Sequence, residues 1–357
     1  MRITSATYVP VLRYKGAEQS ALQKLAAEVR KATIPLIEFV PKDFFEEAAQ
    51  GALVKVARGL INSCGWNHPF IVDPGLLDPD VAAKCIRQII AEAVRYNSDV
   101  GIVTGVSRPT PYQAAVGDVL RLGKSDLVLR LSSYEFRQAA IGSMIDATLA
   151  EFGTSRGRTH LILDFGCIAS SGMNFAAWLR NLPGLTEWKS VTVIAGTLPK
   201  DLSAFKPNEE YDLERGEWSS WCELADSINI PIAFGDYTVQ HAFFEEREGK
   251  RFNFSASIRY TTPEGYLVFR GEGVQNPDGP GYQQYLGEAT LLCARDEFLG
   301  QGYCWGDAYI HEKGNGAVDT GGPKEWLAAA INHHLTLVAA QVQGRVRVSA
   351  ALTRTAN

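Results

Sequence analysis

The sequence predicts an α/β protein: a (β/α)8 barrel of the TIM type, with a β-hairpin insertion after strand eight and C-terminal helices. Eight short apolar runs recur at intervals of roughly 30 residues, as βα units of such a barrel do. Between them, apolar residues recur every three to four positions, which indicates amphipathic helices. Beyond residue 240 the pattern changes to strict alternation, which is typical of a half-buried hairpin.

The eight runs are the predicted barrel strands. Leu161-Ile162-Leu163 and Val191-Thr192-Val193-Ile194 are almost wholly apolar, as expected for strands buried on both faces of a parallel sheet. The runs span residues 8–13, 33–40, 68–74, 99–105, 126–132, 160–166, 190–196 and 230–237. The predicted helices between them include residues 18–31, 80–96, 139–152 and 174–182.

The chain is expected to form a single domain with two parts. Residues 1–240 supply the eight βα units, and residues 241–357 supply the hairpin, a Gly-rich loop and the closing helices. The hairpin alternates from Phe252 to Tyr260 and returns through 266–270. Helices are predicted at 283–298 and 323–342, separated by the loop 300–322, and one of them would complete the barrel as its eighth helix.

Net charge, hydropathy and cysteine spacing limit the classes of function that the protein can have. A net charge of −5 gives no global attraction for a polyanion, so nucleic-acid binding stays open only through a local basic patch. No run of 18 apolar residues and no leader pattern is present, which favours a cytoplasmic protein that does not associate with membranes. The six cysteines have no Cys-x-x-Cys or closely spaced His, which favours free thiols over a zinc site.

Charged residues stand where the barrel strands end, and in such barrels these ends build the site. The carboxylates Glu38, Asp73, Asp164 and Asp236 could together hold a hard cation such as Mg²⁺. Cations beside them could clamp a phosphate or carboxylate; they are Arg13, Lys15 and Arg130. The alternative is a ring of mutual salt bridges that caps the barrel without a ligand, and the sequence leaves both open.

Motifs that would identify a reaction are missing. The sequence contains no Gly-x-Ser-x-Gly, no Walker A motif and no Gly-x-Gly-x-x-Gly between a strand and a helix. No His-x-His follows strand one, which argues against amidohydrolase-type metal sites.

Several segments together resemble the beta protein family of phages and bacteria. They include residues 8–16 with Glu18, 34–38, 195–199, 214–218, 234–237, 258–260, 306–310 and 332–336. The resemblance spans nearly the whole chain. It implies a barrel-like fold and an association with phages, prophages and neighbouring defence genes, but it carries no established reaction.

The strand ends and the family-like segments overlap in a candidate site. Lys15, Glu38 and Asp236 come from adjacent strands of a closed barrel, and with Asp307 they form the predicted catalytic set. The predicted ligand-binding residues are Arg13, Arg130, Arg259, Tyr260 and Tyr237.

Two functions remain open at this stage. One is a metal-dependent hydrolase or phosphodiesterase that acts on a nucleotide or nucleic-acid ligand, with Mg²⁺ as its expected cofactor. The other is a non-catalytic sensor or protein-binding module that recognises a phage or host protein. Carboxylates that share one open point would favour metal chemistry, whereas carboxylates that are all paired with Arg or Lys would favour the second function.

Overall fold

The computed structural model describes residues 1–41, 50–180, 182–245 and 253–355. Eight parallel strands follow one another around a single sheet in chain order. They are β1 Val11–Arg13, β2 Leu36–Glu38, β3 Phe70–Asp73, β4 Val100–Thr104, β5 Ser125–Ser132, β6 Thr159–Cys167, β7 Ser190–Gly196 and, after the inserted β8 Glu209–Glu214, β9 Ile232–Asp236. The sheet meets itself at a Tyr8–Phe234 bridge, where the Val9 N–H donates to the Phe234 carbonyl at 2.8 Å. The predicted barrel is confirmed.

Strand pleating sorts the side chains into two apolar cores. Alternate residues point into the barrel and fill it with aliphatic side chains, among them Val11, Leu36, Ile71, Val103, Val128, Ile162, Ile194 and Ala233. Their neighbours along each strand, such as Leu12, Ile37 and Val72, pack outward against the helices. The pleat therefore decides whether a residue at a strand end faces the barrel mouth or the helix layer.

Capping residues and prolines determine where helices between the strands begin. The clearest case is the helix Pro79–Arg95, which has proline at its first position and Asp78 as N-cap, accepting from the Asp80 and Val81 amides; such a cap contributes about 1 kcal/mol. The helices before β9 are α1 Gly16–Gln23, α2 Ala27–Ala32, α3 Gln50–Cys64, α4 Pro79–Arg95, α5 Thr110–Leu120, α6 Ile141–Glu151, α7 Phe175–Leu179 and α8 Gly216–Ser227.

The predicted hairpin is present as β10 Ser255–Thr261 and β11 Gly265–Gly273; its expected first residue, Phe252, lies outside the described residues. The sequence did not reveal a third strand, β8, which pairs antiparallel with β11. Its sequence, Glu-Glu-Tyr-Asp-Leu-Glu, is mostly acidic and exposed. Only Tyr211 and Leu213 pack on the core, which is too weak an alternation to identify a strand.

Three helices complete the chain: α9 Gln284–Cys293, α10 Trp305–Gly314 and α11 Pro323–Thr355. The expectation of an irregular loop at 300–322 is wrong, since α10 lies within it. Its glycines resemble helix breakers in sequence, but a Cβ at Gly306 would lie 2.2 Å from the Ala329 carbonyl oxygen. Gly306 thus allows α10 to approach α11 closely. Helix α11 packs beside α1 and serves as the eighth helix.

Candidate functional site

The barrel mouth holds a compact charge cluster centred on Arg130. Its guanidinium donates from Nη1 to Glu38 and to Asp73, each at 2.8 Å. It donates from Nε and Nη2 to Asp164 at 2.9 and 2.5 Å. The Tyr237 hydroxyl accepts from Arg130 at 3.0 Å and donates to Asp164 at 2.6 Å. One cation therefore holds three carboxylates contributed by three different strands.

Burial makes this cluster electrostatically tight. The side chains of Arg130, Glu38 and Asp73 are only 11%, 8% and 4% exposed. Burial raises the pKa of Glu38, and Arg130 offsets only part of that rise. Burial also opposes ionisation of Asp73, but Arg108, 2.9 Å away, and Arg130 together hold the pKa of Asp73 below its usual value.

These residues do not fit the expected Mg²⁺ site. A hard cation needs carboxylate oxygens that converge on one open point. In the mouth that point is taken by the Arg130 guanidinium, to which Glu38, Asp73 and Asp164 all bond. The second oxygens of Asp73 and Asp164 accept from the backbone amides of Gly75 and Gly166. The arrangement is the salt-bridge ring that the sequence left as an alternative.

Asp236 does not join this cluster, which corrects its predicted grouping with Glu38 as catalytic and metal residue. Its side chain points to the helix layer, where it accepts from the Tyr8 hydroxyl at 2.6 Å and contacts His334 Nε2 at 3.0 Å. Burial opposes its ionisation, but His334 holds the pKa of Asp236 below its ordinary value. The next residue, Tyr237, points into the barrel instead. Because of the pleat, Tyr237 and not Asp236 therefore reaches the charge cluster at the barrel mouth.

A separate basic cavity of about 370 Å³ lies at the same end of the barrel. Arg13, Lys15, Lys200 and Arg259 line it together. The sequence grouped Arg13 and Lys15 with Arg130, and Lys15 and Arg259 with Glu38 and Asp236; Arg130, Glu38 and Asp236 do not line this cavity. Lys15 Nζ lies 4.9 Å from the centre of the Phe244 ring. Among the described residues, only Lys200 of these four cations forms an ion pair, with Glu245.

The two arginines of the basic cavity, Arg13 and Arg259, form hydrogen bonds with neutral groups. Arg13 donates to the Gln240 side chain at 2.9 Å and to the His241 carbonyl at 2.8 Å, and its buried Nε has no hydrogen-bond partner in the described part of the chain. Arg259 donates to the Val239 carbonyl at 2.9 Å, and burial lowers its pKa. Guanidinium groups whose hydrogen bonds go to amide and carbonyl oxygens remain able to bind an anion. The Glu18 carboxylate lies within electrostatic range of Arg13 and Lys15 and offsets part of their charge.

Tyr260 and Asp307 lie neither in the charge cluster around Arg130 nor in the basic cavity. They are bonded to each other at 2.7 Å, buried between β10, α10 and α11. Asp307 also contacts His333 Nδ1 at 2.8 Å. The predicted catalytic set of Lys15, Glu38, Asp236 and Asp307 is therefore spread over four surroundings. The sequence did not include Lys200, His333 or Cys304 among the candidate site residues, although His333 lies in one of the family-like segments. Only the structure places His333 and Cys304 beside Asp307.

The chain is an eight-stranded parallel α/β barrel. The C-terminal end of its strands carries the charge cluster around Arg130 and, beside it, the basic cavity. The family model described as Beta protein matches residues 8–340. The chain belongs to the Beta protein family, as the sequence resemblance predicted.

No curated protein matches the chain. Among solved structures it is similar to the tryptophan synthase α2β2 complex from Pyrococcus furiosus, at 16% identity over 66% of this chain and 89% of that chain, with a TM-score of 0.36. It is also similar to a protein assigned to the dihydrodipicolinate synthase family from Coccidioides immitis, at 11% identity over 66% and 68% of the chains, with a TM-score of 0.33. The fold assignment rests on the strand pairing and not on these likenesses. None of the described helices is long and apolar enough to cross a membrane.

Proposed function

We propose that this protein is a cytoplasmic, non-catalytic sensor in phage–host conflict that binds a phosphorylated ligand of nucleotide size in the basic cavity. The observation that carries the proposal is the excess of cations in one cavity. Arg13, Lys15 and Arg259 line it and form no salt bridge with the described residues, while the lining carboxylate of Glu245 is paired with Lys200. The resemblance to phage-associated proteins supports the biological setting.

The size and chemistry of the cavity suit such a ligand. Small-molecule pockets usually enclose about 300–1,000 Å³. The basic cavity adjoins a second one of about 500 Å³, and both include Lys200 and Arg259 in their walls. A phosphate held by the cations of the first cavity leaves room for a base and sugar in the second, which is lined by Tyr285 and Asn253 among others.

Hydrolysis is the less favoured function because the carboxylates are already engaged. Glu38, Asp73 and Asp164 serve Arg130 in the ring. The basic cavity has one lining carboxylate among the described residues, Glu245, which is paired with Lys200. Gln240, another lining residue, donates at 2.8 Å to the buried carboxylate of Glu18. Burial raises its pKa, so it is poorly suited to hold a divalent cation.

The test is calorimetric titration of the full chain with pyrophosphate, AMP and ATP, with adenosine as the uncharged probe. We expect the phosphorylated probes to bind with an affinity that falls as salt rises, and adenosine to bind far more weakly. Lys15→Met should weaken binding at least about tenfold, since a charge-assisted hydrogen bond contributes about 1.5–3 kcal/mol. Lys124→Met is the matched control, because this exposed lysine precedes β5 at the opposite end of the barrel.

Two results would contradict the proposal. Equal affinities of the wild type and Lys15→Met for pyrophosphate would remove the basic cavity from the binding site. Phosphate release from ATP in the presence of Mg²⁺ that Glu38→Gln abolishes, without loss of thermal stability, would favour the hydrolase instead.

A further inference from the structure

A second cluster lies in the C-terminal part of the chain, apart from the basic cavity and the charge ring. Cys304 is the N-cap of α10 and Asp307 lies in its first turn, so the three-residue spacing places both on one side of the helix. His333 of α11 faces them. Cys304 Sγ is 2.9 Å and His333 Nδ1 2.8 Å from the same oxygen, Oδ2 of Asp307. The three candidate ligand atoms all lie within 4.8 Å of one another.

A hydrogen bond to the Thr261 carbonyl fixes the orientation of the His333 ring. Its Nε2 lies 2.8 Å from the carbonyl oxygen of Thr261, which can only accept, so Nε2 carries a hydrogen. In a neutral ring, Nδ1 is then a lone pair that faces the Asp307 carboxylate, another acceptor. Two acceptors in contact require a cation between them. That cation is either a second ring proton or a metal ion.

We propose that Cys304, Asp307 and His333 form a Zn²⁺ site, with Sγ, Oδ2 and Nδ1 as ligands and water in the fourth position. Thiolate, imidazole and carboxylate together are the ligand types that zinc accepts in tetrahedral sites. Cys304 and the adjacent Tyr303 are partly exposed, which gives the ion and its water access from the surface.

The surroundings provide the second layer of contacts that metal ligands require. The Thr261 carbonyl orients His333, and the Tyr260 hydroxyl donates to the free Asp307 oxygen, Oδ1, at 2.7 Å. Partners of this kind fix the ligand geometry in metalloproteins. The Tyr260 ring also stacks on His333, with ring centres 3.9 Å apart. The bound ion would therefore clamp α10 to α11 and to the end of β10.

The charges of the three ligands match those of the ion. A thiolate, the Asp307 carboxylate and a neutral His333 ring together balance the two charges of Zn²⁺. Because metal ligands bind in their deprotonated forms, zinc binding releases protons and its affinity should rise with pH.

The experiment uses the full chain, stripped with a chelator and then titrated with Co²⁺ and Zn²⁺. We expect one metal per chain, a thiolate-to-cobalt charge-transfer band, release of protons on binding of Zn²⁺ and a higher melting temperature with zinc. Cys304→Ala should abolish the band and weaken zinc binding at least tenfold. Cys293→Ala is the control, because this partly buried cysteine on α9 donates to the Ile310 carbonyl and lies outside the cluster.

Absence of a thiolate band in the wild type would overturn the site and leave a buried hydrogen bond between His333 and Asp307. Equal zinc affinity in Cys304→Ala would overturn it as well. The cobalt spectrum of the wild-type chain decides the question even if the alanine variant does not fold.

Discussion

Arg130→Met tests whether the charge ring at the barrel mouth is structural. Methionine keeps an unbranched apolar side chain but removes the cation that bonds to Glu38, Asp73 and Asp164. These three carboxyl groups are no more than 10% exposed. Removing one partner of a buried ion pair typically costs about 3–5 kcal/mol, because the remaining charge is left uncompensated. We expect a loss of at least that size in the free energy of unfolding near pH 7.

The pH dependence gives this prediction its specific signature. In the wild type, the pKa of Asp73 lies below its usual value, so its contribution to stability is present above the unfolded pKa and is lost as pH falls through the folded pKa. Without Arg130 the folded pKa values of Glu38 and Asp73 rise, because Arg130 lowers both in the wild type. Groups with raised folded pKa values lose stability as pH rises, so the deficit of the variant should shrink from about pH 7 to about pH 5.

The assay is urea denaturation of both proteins across this pH range, with Arg121→Met as control. Arg121 forms an exposed ion pair with Asp118 on the barrel surface, and such pairs contribute at most about 1 kcal/mol. A cost for Arg130→Met as small as that of the control would refute the reasoning. A deficit that stays constant with pH would show that lost packing, and not unpaired carboxylates, causes the destabilisation.

Two further predictions concern the C-terminal part. Glu288 is buried and forms no salt bridge with the described residues, and burial raises its pKa from 4.5 to about 9, although a backbone hydrogen bond at Ile258 lowers it in part. Relative to Glu288→Gln, the wild type should lose up to about 1.4 kcal/mol per pH unit between these two values in denaturation curves, and parallel curves would contradict this. Gly306→Ala should destabilise the protein by about 1–3 kcal/mol, since its Cβ would meet the Ala329 carbonyl oxygen. Gly287→Ala, in open space on α9, should instead raise the melting temperature, because alanine favours helix by about 1 kcal/mol; the reverse order of the two melting temperatures would disprove the close helix contact.

Local sequence patterns were sufficient to predict the barrel and the hairpin. Apolar runs at regular intervals bury both faces of parallel strands, and alternation marks a strand with one buried face; both signals lie within a few consecutive residues. The strand β8 was missed because its acidic side chains provide almost no such signal. The helix α10 was missed because Gly306 serves a contact with α11 that lies more than twenty residues away.

The candidate sites were determined partly by sequence and partly by tertiary structure. Charged residues at strand ends identified the barrel mouth, and Arg13, Lys15 and Arg259 meet in one cavity there. Sequence could not assign Asp236 and Tyr237 to their faces, because a shift of one residue in the pleat exchanges inward and outward positions.

By itself the sequence determined the fold class, the order of the strands and the end of the barrel at which charges gather. Only the tertiary structure decided which charges pair, because pairing depends on contacts between distant segments. Arg130 reaches Glu38 across 92 positions of the chain, and His333 reaches Asp307 across 26. Neither spacing leaves a local pattern, since helix and strand periodicity report only which face a residue occupies and not what lies opposite.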